Sequence, residues 1–202
     1  MRIVIVIVII VFLFLMTLGY YGYRQMTDPP QWYNEEESPQ VRARLLIQSQ
    51  KLHEQIAHGK IPAELNNDDL SALLLSEMKR YSREGDEQVV KGIQTQINAD
   101  HILIDLILDV HALDAERLDE GLSKRIQKLR TWLPRSTLEQ FPLQLRLIPE
   151  KDGSVIRWHK DSVLKVGLLQ FPLNNFNGLA KLSRNRYALV DFELRANRIL
   201  VK

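Results

Sequence analysis

The chain has 202 residues, of which 45% are hydrophobic and 26% charged, with a formal net charge of +2 and no cysteine. Such a balanced charge argues against nucleic acid or a strongly acidic protein as the general partner. The lack of cysteine excludes a disulfide framework, a cysteine nucleophile and a lipid attached through cysteine.

An apolar run opens the chain. Every residue from Ile3 to Met16 is apolar, and three tyrosines follow before Arg24 closes the segment. As a helix, residues 3–23 span roughly 31 Å, close to the ~30 Å hydrocarbon core of a bilayer. We therefore predict a transmembrane anchor over residues 1–24. A cleaved signal peptide, with its apolar stretch of about 7–15 residues, is the alternative.

The charges beside this segment favour one orientation. Because the positive-inside rule counts lysine and arginine, Arg2 and the α-amine place the N-terminus in the cytoplasm by a small margin over Arg24. We expect a single-pass protein of the inner (cytoplasmic) membrane with an extracytoplasmic C-terminal domain. Residues 25–37, with two consecutive prolines and three glutamates, are predicted as a solvated linker. Its Trp32-Tyr33 pair is a candidate for contact with lipid headgroups.

Two amphipathic helices are predicted after the linker. Ser38 looks like an N-cap with proline at the first helical position, and Gly59 ends the helical spacing that follows. The apolar stripe of this first helix is Val41, Leu45, Leu52 and Ile56. A second helix is predicted to begin at Asn67, because two aspartates lie in its first turn, where the helix dipole favours acids.

The pattern then changes to alternation. Residues 89–97 and 101–112, joined by a short turn, predict an antiparallel hairpin. One face of the second strand is wholly apolar, with Ile102, Ile104, Leu106, Leu108, Val110 and Ala112. The other face carries His101, Leu103, Asp105, Ile107, Asp109 and His111. This mixed face is typical of the solvated outer side of a sheet that is buried on one side.

A helix rich in basic residues is predicted from Glu120 to Leu133, before Pro134. A second hairpin follows between Leu143 and Leu169, with a bulge near Lys160, and two short strands end the chain. About 178 residues follow the anchor, enough for one domain with its own core. We predict an α+β domain over residues 38–202, with two helices and then an antiparallel sheet of about five or six strands.

The basic helix offers a candidate surface. Its candidates for membrane-surface contact are Lys124, Arg125, Lys128, Arg130 and Trp132. A solvated helix face is the plainer interpretation of the charges. Contact with anionic headgroups is the functional one, since each basic residue near such a surface adds up to ~1 kcal/mol. Nucleic acid is disfavoured, because aromatic residues are not interleaved with the charges. Trp132 fits either the core or an interfacial position.

Patterns typical of catalysis and metal binding are missing from the sequence. His53 and His58 are five residues apart, so on a helix their side chains diverge by ~140° and cannot share a metal. Asp109 and His111, ~6.5 Å apart on one strand face, have a spacing that suits metal ligands, but Ile107 interrupts the row. Neither a glycine-rich phosphate loop nor a G-x-S-x-G motif is present. We predict no enzyme, no metal site and no cofactor.

Two segments resemble a known family. Residues 65–74, LNNDDLSALL, resemble the short helix that opens the YpmS-like family of membrane-anchored extracytoplasmic proteins, and residues 163–173, VLKVGLLQFPL, are similar to its strand-and-turn motif. The resemblance covers roughly Ile61 to Lys202, although the preceding helix is long and the basic helix is richer in charge than in that family. It implies a curved antiparallel sheet wrapping a helix, distantly like the tubular lipid-binding domains. It also implies a hydrophobic groove for an acyl chain.

Two functions follow from these features. The first is a membrane-anchored extracytoplasmic binding module for a lipid or another apolar ligand, which needs an open pocket on the apolar sheet face. The alternative is a non-enzymatic scaffold or interaction subunit of an envelope protein complex. That alternative needs the apolar stripe of the first helix to lack a surface within the domain. The predicted partners are membrane lipids and, for the scaffold, other envelope proteins.

Overall fold

A computed structural model describes Arg24 and residues 28–58, 62, 64–81, 89–118, 120–152, 155–167, 169–173 and 192–201. The predicted anchor lies outside the described residues, apart from Arg24. Among the helices in these ranges, none combines the length and the apolar character needed to cross a membrane.

The described part of the chain is a mixed α+β fold. Its helices are α1 (Ser38–Ala57), α2 (Asn67–Met78), α3 (Glu120–Trp132) and α4 (Arg135–Glu139), with 3₁₀ turns at Lys79–Tyr81 and Ala115–Arg117. Its strands are β1 (Glu64–Asn66), β2 (Val90–Ile97), β3 (Ile102–Leu108), β4 (Phe141–Leu147), β5 (Pro149–Asp152), β6 (Val155–Trp158), β7 (Val163–Val166), β8 (Leu169–Pro172), β9 (Phe192–Arg195) and β10 (Arg198–Val201).

A five-stranded antiparallel sheet in the order β2-β3-β4-β7-β8 forms the centre of the fold. The α+β class and a sheet of about five strands are therefore confirmed. The two C-terminal strands, however, belong to a second sheet and not to this one. Strand β10 pairs with β9 and with β1, opposing Ile199 to Leu65, and these three strands form a separate sheet. β1 was missed because its partner lies far away in the sequence.

The second predicted hairpin consists of two separately paired parts. Strands β4 and β7 pair with Leu145 opposite Leu164, and β5 and β6 continue the ladder as a two-stranded extension. Between these two parts, the backbone N–H of Ile148 donates a hydrogen bond to Oγ of the fully buried Ser162, over 2.9 Å. The irregularity predicted near Lys160 lies in this break.

The two N-terminal helices begin by different means. Helix α2 starts at Asn67 as predicted, with a capping box in which Asn66 Oδ1 accepts from the Asp69 N–H and Asp69 Oδ2 accepts from the Asn66 N–H. Ser38 does not cap α1, so that prediction is wrong. Its Oγ instead donates to the Lys91 carbonyl over 2.6 Å, and this bond ties the start of α1 to strand β2.

The core lies between α2 and the inner face of the sheet. Ile104 of β3 is only 3% exposed, and Ala72 and Leu75 of α2 are buried with it. Helix α1 packs on α2 and buries Leu45 and Leu52, two residues of its predicted stripe. The middle of the α1 stripe is therefore used within the domain, while its ends, Val41 and Ile56, are exposed.

The outer face of the sheet carries one polar row. The strand register aligns Gln94, Asp105, Gln144, Lys165 and Gln170 across all five strands. Within this row Gln144 Nε2 donates to Asp105 Oδ1 over 2.7 Å. Partial burial nevertheless raises the pKa of the Asp105 carboxyl, against the opposing effects of Gln144 and Lys165.

Replacing Asp105 with asparagine should therefore stabilise the fold at neutral pH. The Asp105 carboxyl has a higher pKa in the folded protein than in the unfolded chain. As pH rises from the unfolded to the folded pKa, the unfolded chain loses its proton first, so the free energy of unfolding falls. The amide oxygen of the new side chain would still accept from Gln144. We expect Asp105→Asn to raise the free energy of unfolding at pH 7, with the difference vanishing below about pH 4, as measured by urea denaturation at several pH values.

The matched control is Asp100→Asn, whose carboxyl has the opposite shift. The hydrogen bond from His101 lowers the pKa of Asp100, so its stabilising effect is present at neutral pH and is lost as pH falls through the folded pKa. The two substitutions should thus change the pH profile in opposite directions. A pH-independent effect of Asp105→Asn would contradict the argument.

Candidate functional site

The end of the predicted linker packs on strand β2. At Gly92, a Cβ atom would lie 2.6 Å from Tyr33 Cδ2 and 3.3 Å from Trp32 Cη2, so only glycine leaves room for the two rings. The rings themselves meet edge to face with centroids 6.0 Å apart. Burial raises the pKa of the Tyr33 hydroxyl. Both rings thus lie on the sheet, whereas the position of Trp32-Tyr33 near the predicted anchor had suggested contact with lipid headgroups.

This packing explains an exception on the outer face. Ile107 belongs to that face by register, yet its exposed fraction is 0%. The register pairs it with Gly92, over which Trp32 and Tyr33 are seated. The aromatic pair therefore lies next to Ile107 in the register, which is consistent with the burial of this outer-face residue.

A cleft of about 310 Å³ lies along the edge of β2, between this segment and the first turns of α1 and α2. Its lining includes three cations, and each has a partner in the fold. Arg42 Nη1 donates to the Val90 carbonyl over 3.3 Å, Arg44 lies 3.4 Å from Asp68, and Lys91 lies 3.6 Å from Asp109. With such a mixed polar lining, the cleft suits a polar ligand better than an acyl chain.

The inner, apolar face of the sheet is covered unevenly. Ile104 and the neighbouring apolar residues of β3 are buried beneath the helices, whereas Leu145 of β4 and Leu164 of β7 are only partly buried. On β8, Leu169 is 50% and Phe171 39% exposed. Because opposed residues of an antiparallel pair point to the same face, these side chains continue one apolar surface. We call the part of this surface that is not fully buried the open apolar face. It consists of the partly buried Leu143, Leu145, Leu164 and Val166, and the exposed Leu169 and Phe171.

Helix α3 presents some of its predicted contact residues to solvent. Ile126, Leu129 and the following Leu133 pack against the core, while Lys124 and Lys128 are exposed. The exposed residue that stands out is Trp132, with 77% of its surface accessible, so a core position for it is wrong. Arg125 lies in the same helix, but its side chain is outside the described part of the structure.

Arg130 has a different position from the two lysines. Its Nη2 donates to the carbonyls of Val110 and Leu113 over 2.8 and 2.7 Å, and its Nε donates to Val110 as well. Both accepting residues are buried. Arg130 therefore holds the loop after β3 against α3, and its guanidinium is turned toward the fold.

The suggested pair of metal ligands is not formed. Strand β3 ends at Leu108, and Asp109 instead caps the following turn, with its Oδ1 accepting from the N–H groups of His111 and Ala112 over 2.9 and 3.3 Å. His53 and His58 each bond through Nδ1 to a carbonyl of their own helix. Across the described ranges, no cluster of three histidine, aspartate or glutamate side chains is arranged to hold a metal ion.

Some functional features had only weak signals in the sequence. A glycine inside a strand pattern indicates a close approach by another group, and Gly92 fits that signal. The open apolar face had no local signal, because Leu145 and Phe171 have the same alternating pattern as buried residues.

Comparisons with protein-family models, curated proteins and solved structures find no match for this chain.

Proposed function

We propose that this chain is a non-enzymatic, membrane-anchored extracytoplasmic binding module that holds a lipid acyl chain or another apolar ligand on the open apolar face. The observation that carries the proposal is that burial decreases along one continuous apolar surface of the sheet, from β3 to β8. Ile104 is buried, Leu145 is partly buried, and Leu169 and Phe171 are exposed. Scattered exposed apolar residues are ordinary, whereas a contiguous set marks a contact surface.

An acyl chain matches this surface in chemistry. The open apolar face is made of leucine, valine and phenylalanine side chains, and the polar row lies on the opposite side of the sheet. Each methylene that leaves water for such a surface contributes about 0.8 kcal/mol. Several methylenes would thus give appreciable affinity without any polar recognition, in keeping with a ligand drawn from the adjacent bilayer.

The membrane part of the proposal is based on residues 1–24. Their apolar run is long enough for a single-pass anchor in the inner membrane, and the described domain begins only a few residues later. The resemblance to the YpmS-like family points in the same direction, toward an extracytoplasmic domain with an apolar groove. Membrane lipids are accordingly the proposed partners, and no cofactor is invoked.

The alternative, a scaffold subunit, has less support. It requires the apolar stripe of α1 to be available for another protein. In the fold, Leu45 and Leu52 of that stripe are buried, and its ends, Val41 and Ile56, are exposed to about the same extent as Phe171. The exposed apolar residues of α1, Val41, Ile47 and Ile56, are six and nine positions apart, so they do not form one contiguous patch, whereas Leu169 and Phe171 lie on one face of β8.

Photo-crosslinking in membranes tests the proposal. The full chain is reconstituted in vesicles that contain a phospholipid with a photoactivatable acyl chain, and labelled peptides are mapped by mass spectrometry. We expect labelling of residues 163–172 in addition to the anchor. The double variant Leu169→Asp/Phe171→Asp should reduce this labelling about tenfold or more, because an unpaired carboxylate against an acyl chain costs several kcal/mol.

The matched control is Ile47→Asp on α1, since Ile47 is 60% exposed and lies outside the open apolar face. This variant should label like the parent chain. Labelling confined to residues 1–24, or unchanged by the double variant, would contradict the proposal. Circular dichroism checks that all three chains have the same secondary structure.

A further inference from the structure

We propose that the exposed stripe of α3 formed by Lys124, Lys128 and Trp132 rests on the anionic surface of the membrane. This inference relies on the membrane attachment in the proposed function, but not on the open apolar face. It assigns the domain a second membrane contact, and hence a fixed orientation beside the bilayer.

The three side chains form one line along the helix. Residues four apart in an α-helix differ by about 40° in direction and 6 Å in height, so Lys124, Lys128 and Trp132 lie on three successive turns of one side. The opposite side is occupied, since Ile126 and Leu129 pack against the core. The stripe thus points away from the domain.

The chemistry of the stripe suits a headgroup layer. Tryptophan has an apolar ring system with one N–H donor and is enriched at membrane interfaces. Lys128 and Lys124 supply positive charge beside it. Lys124 Nζ also lies 2.6 Å from Glu120 Oε1, but both side chains are exposed, and such pairs contribute little in water. An anionic headgroup can therefore compete for the ammonium group.

The position of α3 in the fold supplies the second argument. Ser38, at the start of α1, bonds to the Lys91 carbonyl, and the Lys91 ammonium lies 3.6 Å from Asp109. Asp109 caps the loop whose carbonyls accept from Arg130 of α3. The C-terminal turn of α3 is thus linked, through this short series of contacts, to the place where the chain arrives from the anchor.

That position favours a membrane over a soluble partner. Only residues 25–31 separate Arg24 from the packed Trp32, so the tether spans roughly 25 Å even when fully extended. The end of the domain that carries Trp132 is thereby kept near the bilayer. A tethered surface meets its binding surface at high effective concentration, so even a weak contact becomes populated.

A single environment-sensitive label tests this inference, because the chain has no cysteine of its own. Thr131→Cys, at an exposed position beside Trp132, is labelled with a nitrobenzoxadiazole fluorophore in the full chain. The labelled chain is reconstituted in vesicles of phosphatidylcholine alone, or with equal parts of phosphatidylglycerol. Flotation first establishes that the chain stays with the vesicles. Lys51→Cys on α1, also exposed, is the matched control.

We expect a blue shift and quenching by lipid nitroxides for the label at position 131 in phosphatidylglycerol vesicles, and neither at position 51. Each lysine replaced, Lys124→Gln or Lys128→Gln, should lower the ratio of buried to water-exposed label about fivefold, and about 1 M salt should have a similar effect. Trp132→Ala should reduce the shift even at low salt.

Three results would overturn the inference. The first is a label at position 131 that behaves like the control in every vesicle. The second is a shift that is independent of phosphatidylglycerol and grows with protein density, which would assign the stripe to a second copy of the chain. The third is failure to float, which would remove the membrane attachment and the proposed function with it. A chain that floats with a water-exposed label refutes this inference alone.

Discussion

Arg130→Ala is expected to lower the free energy of unfolding by about 2–3 kcal/mol. The guanidinium makes charge-assisted bonds to the carbonyls of Val110 and Leu113, both of which belong to buried residues. Alanine would leave these acceptors without their donor in a place that water reaches poorly. It would also loosen α3 from the loop after β3. Equilibrium urea denaturation followed by circular dichroism measures the change.

Two further variants separate this effect from the charge of the helix. Lys128→Ala removes a cation from the same helix at an exposed position, and it should change the stability by no more than about 0.5 kcal/mol. Arg130→Lys keeps the charge but lacks the planar fork that reaches two carbonyls, so its cost should be intermediate. Equal effects of Arg130→Ala and Lys128→Ala would show that the bonds to the loop are unimportant.

Gly92→Val is expected to destabilise the protein by about 1–3 kcal/mol, although valine favours strands. The added Cβ would stand 2.6 Å from the Tyr33 ring, so the ring must leave its place on β2. Its departure would also uncover Ile107 on the outer face. Local propensity and tertiary packing thus predict opposite signs, and thermal unfolding decides between them.

A double-mutant cycle with Tyr33→Ala identifies the cause. If the clash with the ring is responsible, Gly92→Val should cost little in the Tyr33→Ala chain, and the two substitutions should be coupled by at least about 1 kcal/mol. Thr95→Val, at a buried position of the same strand, checks that β2 accepts valine. It also removes the hydroxyl that donates to the Asn67 carbonyl and bonds to Ser71, so it should itself cost about 1–3 kcal/mol, but this cost should not be coupled to Tyr33→Ala. Additive effects of Gly92→Val and Tyr33→Ala would refute the proposed clash.

The location of the candidate surfaces was only partly predictable. The basic helix was identified from its composition, since a run of lysine and arginine at helical spacing is visible locally. Which cations face solvent could not be predicted from the sequence. The direction of the Arg130 side chain depends on carbonyls in the loop after β3, which is distant in the sequence. Trp132 left two interpretations open, since a tryptophan beside a polar helix face has the same pattern whether or not another element covers it.

What the sequence alone determined is the set of elements with strong local periodicity. Alternating and helical spacing, capping residues and turns are short-range properties, so α1, α2, α3 and the β2–β3 hairpin follow from the residues themselves. The tertiary structure decided which apolar residues are buried by other segments of the chain. Ile107 is fully buried on the strand position opposite Gly92, where Tyr33 is seated, whereas Phe171 is left exposed at the far end of the same sheet. Burial depends on contacts between distant segments, and no local pattern encodes those contacts.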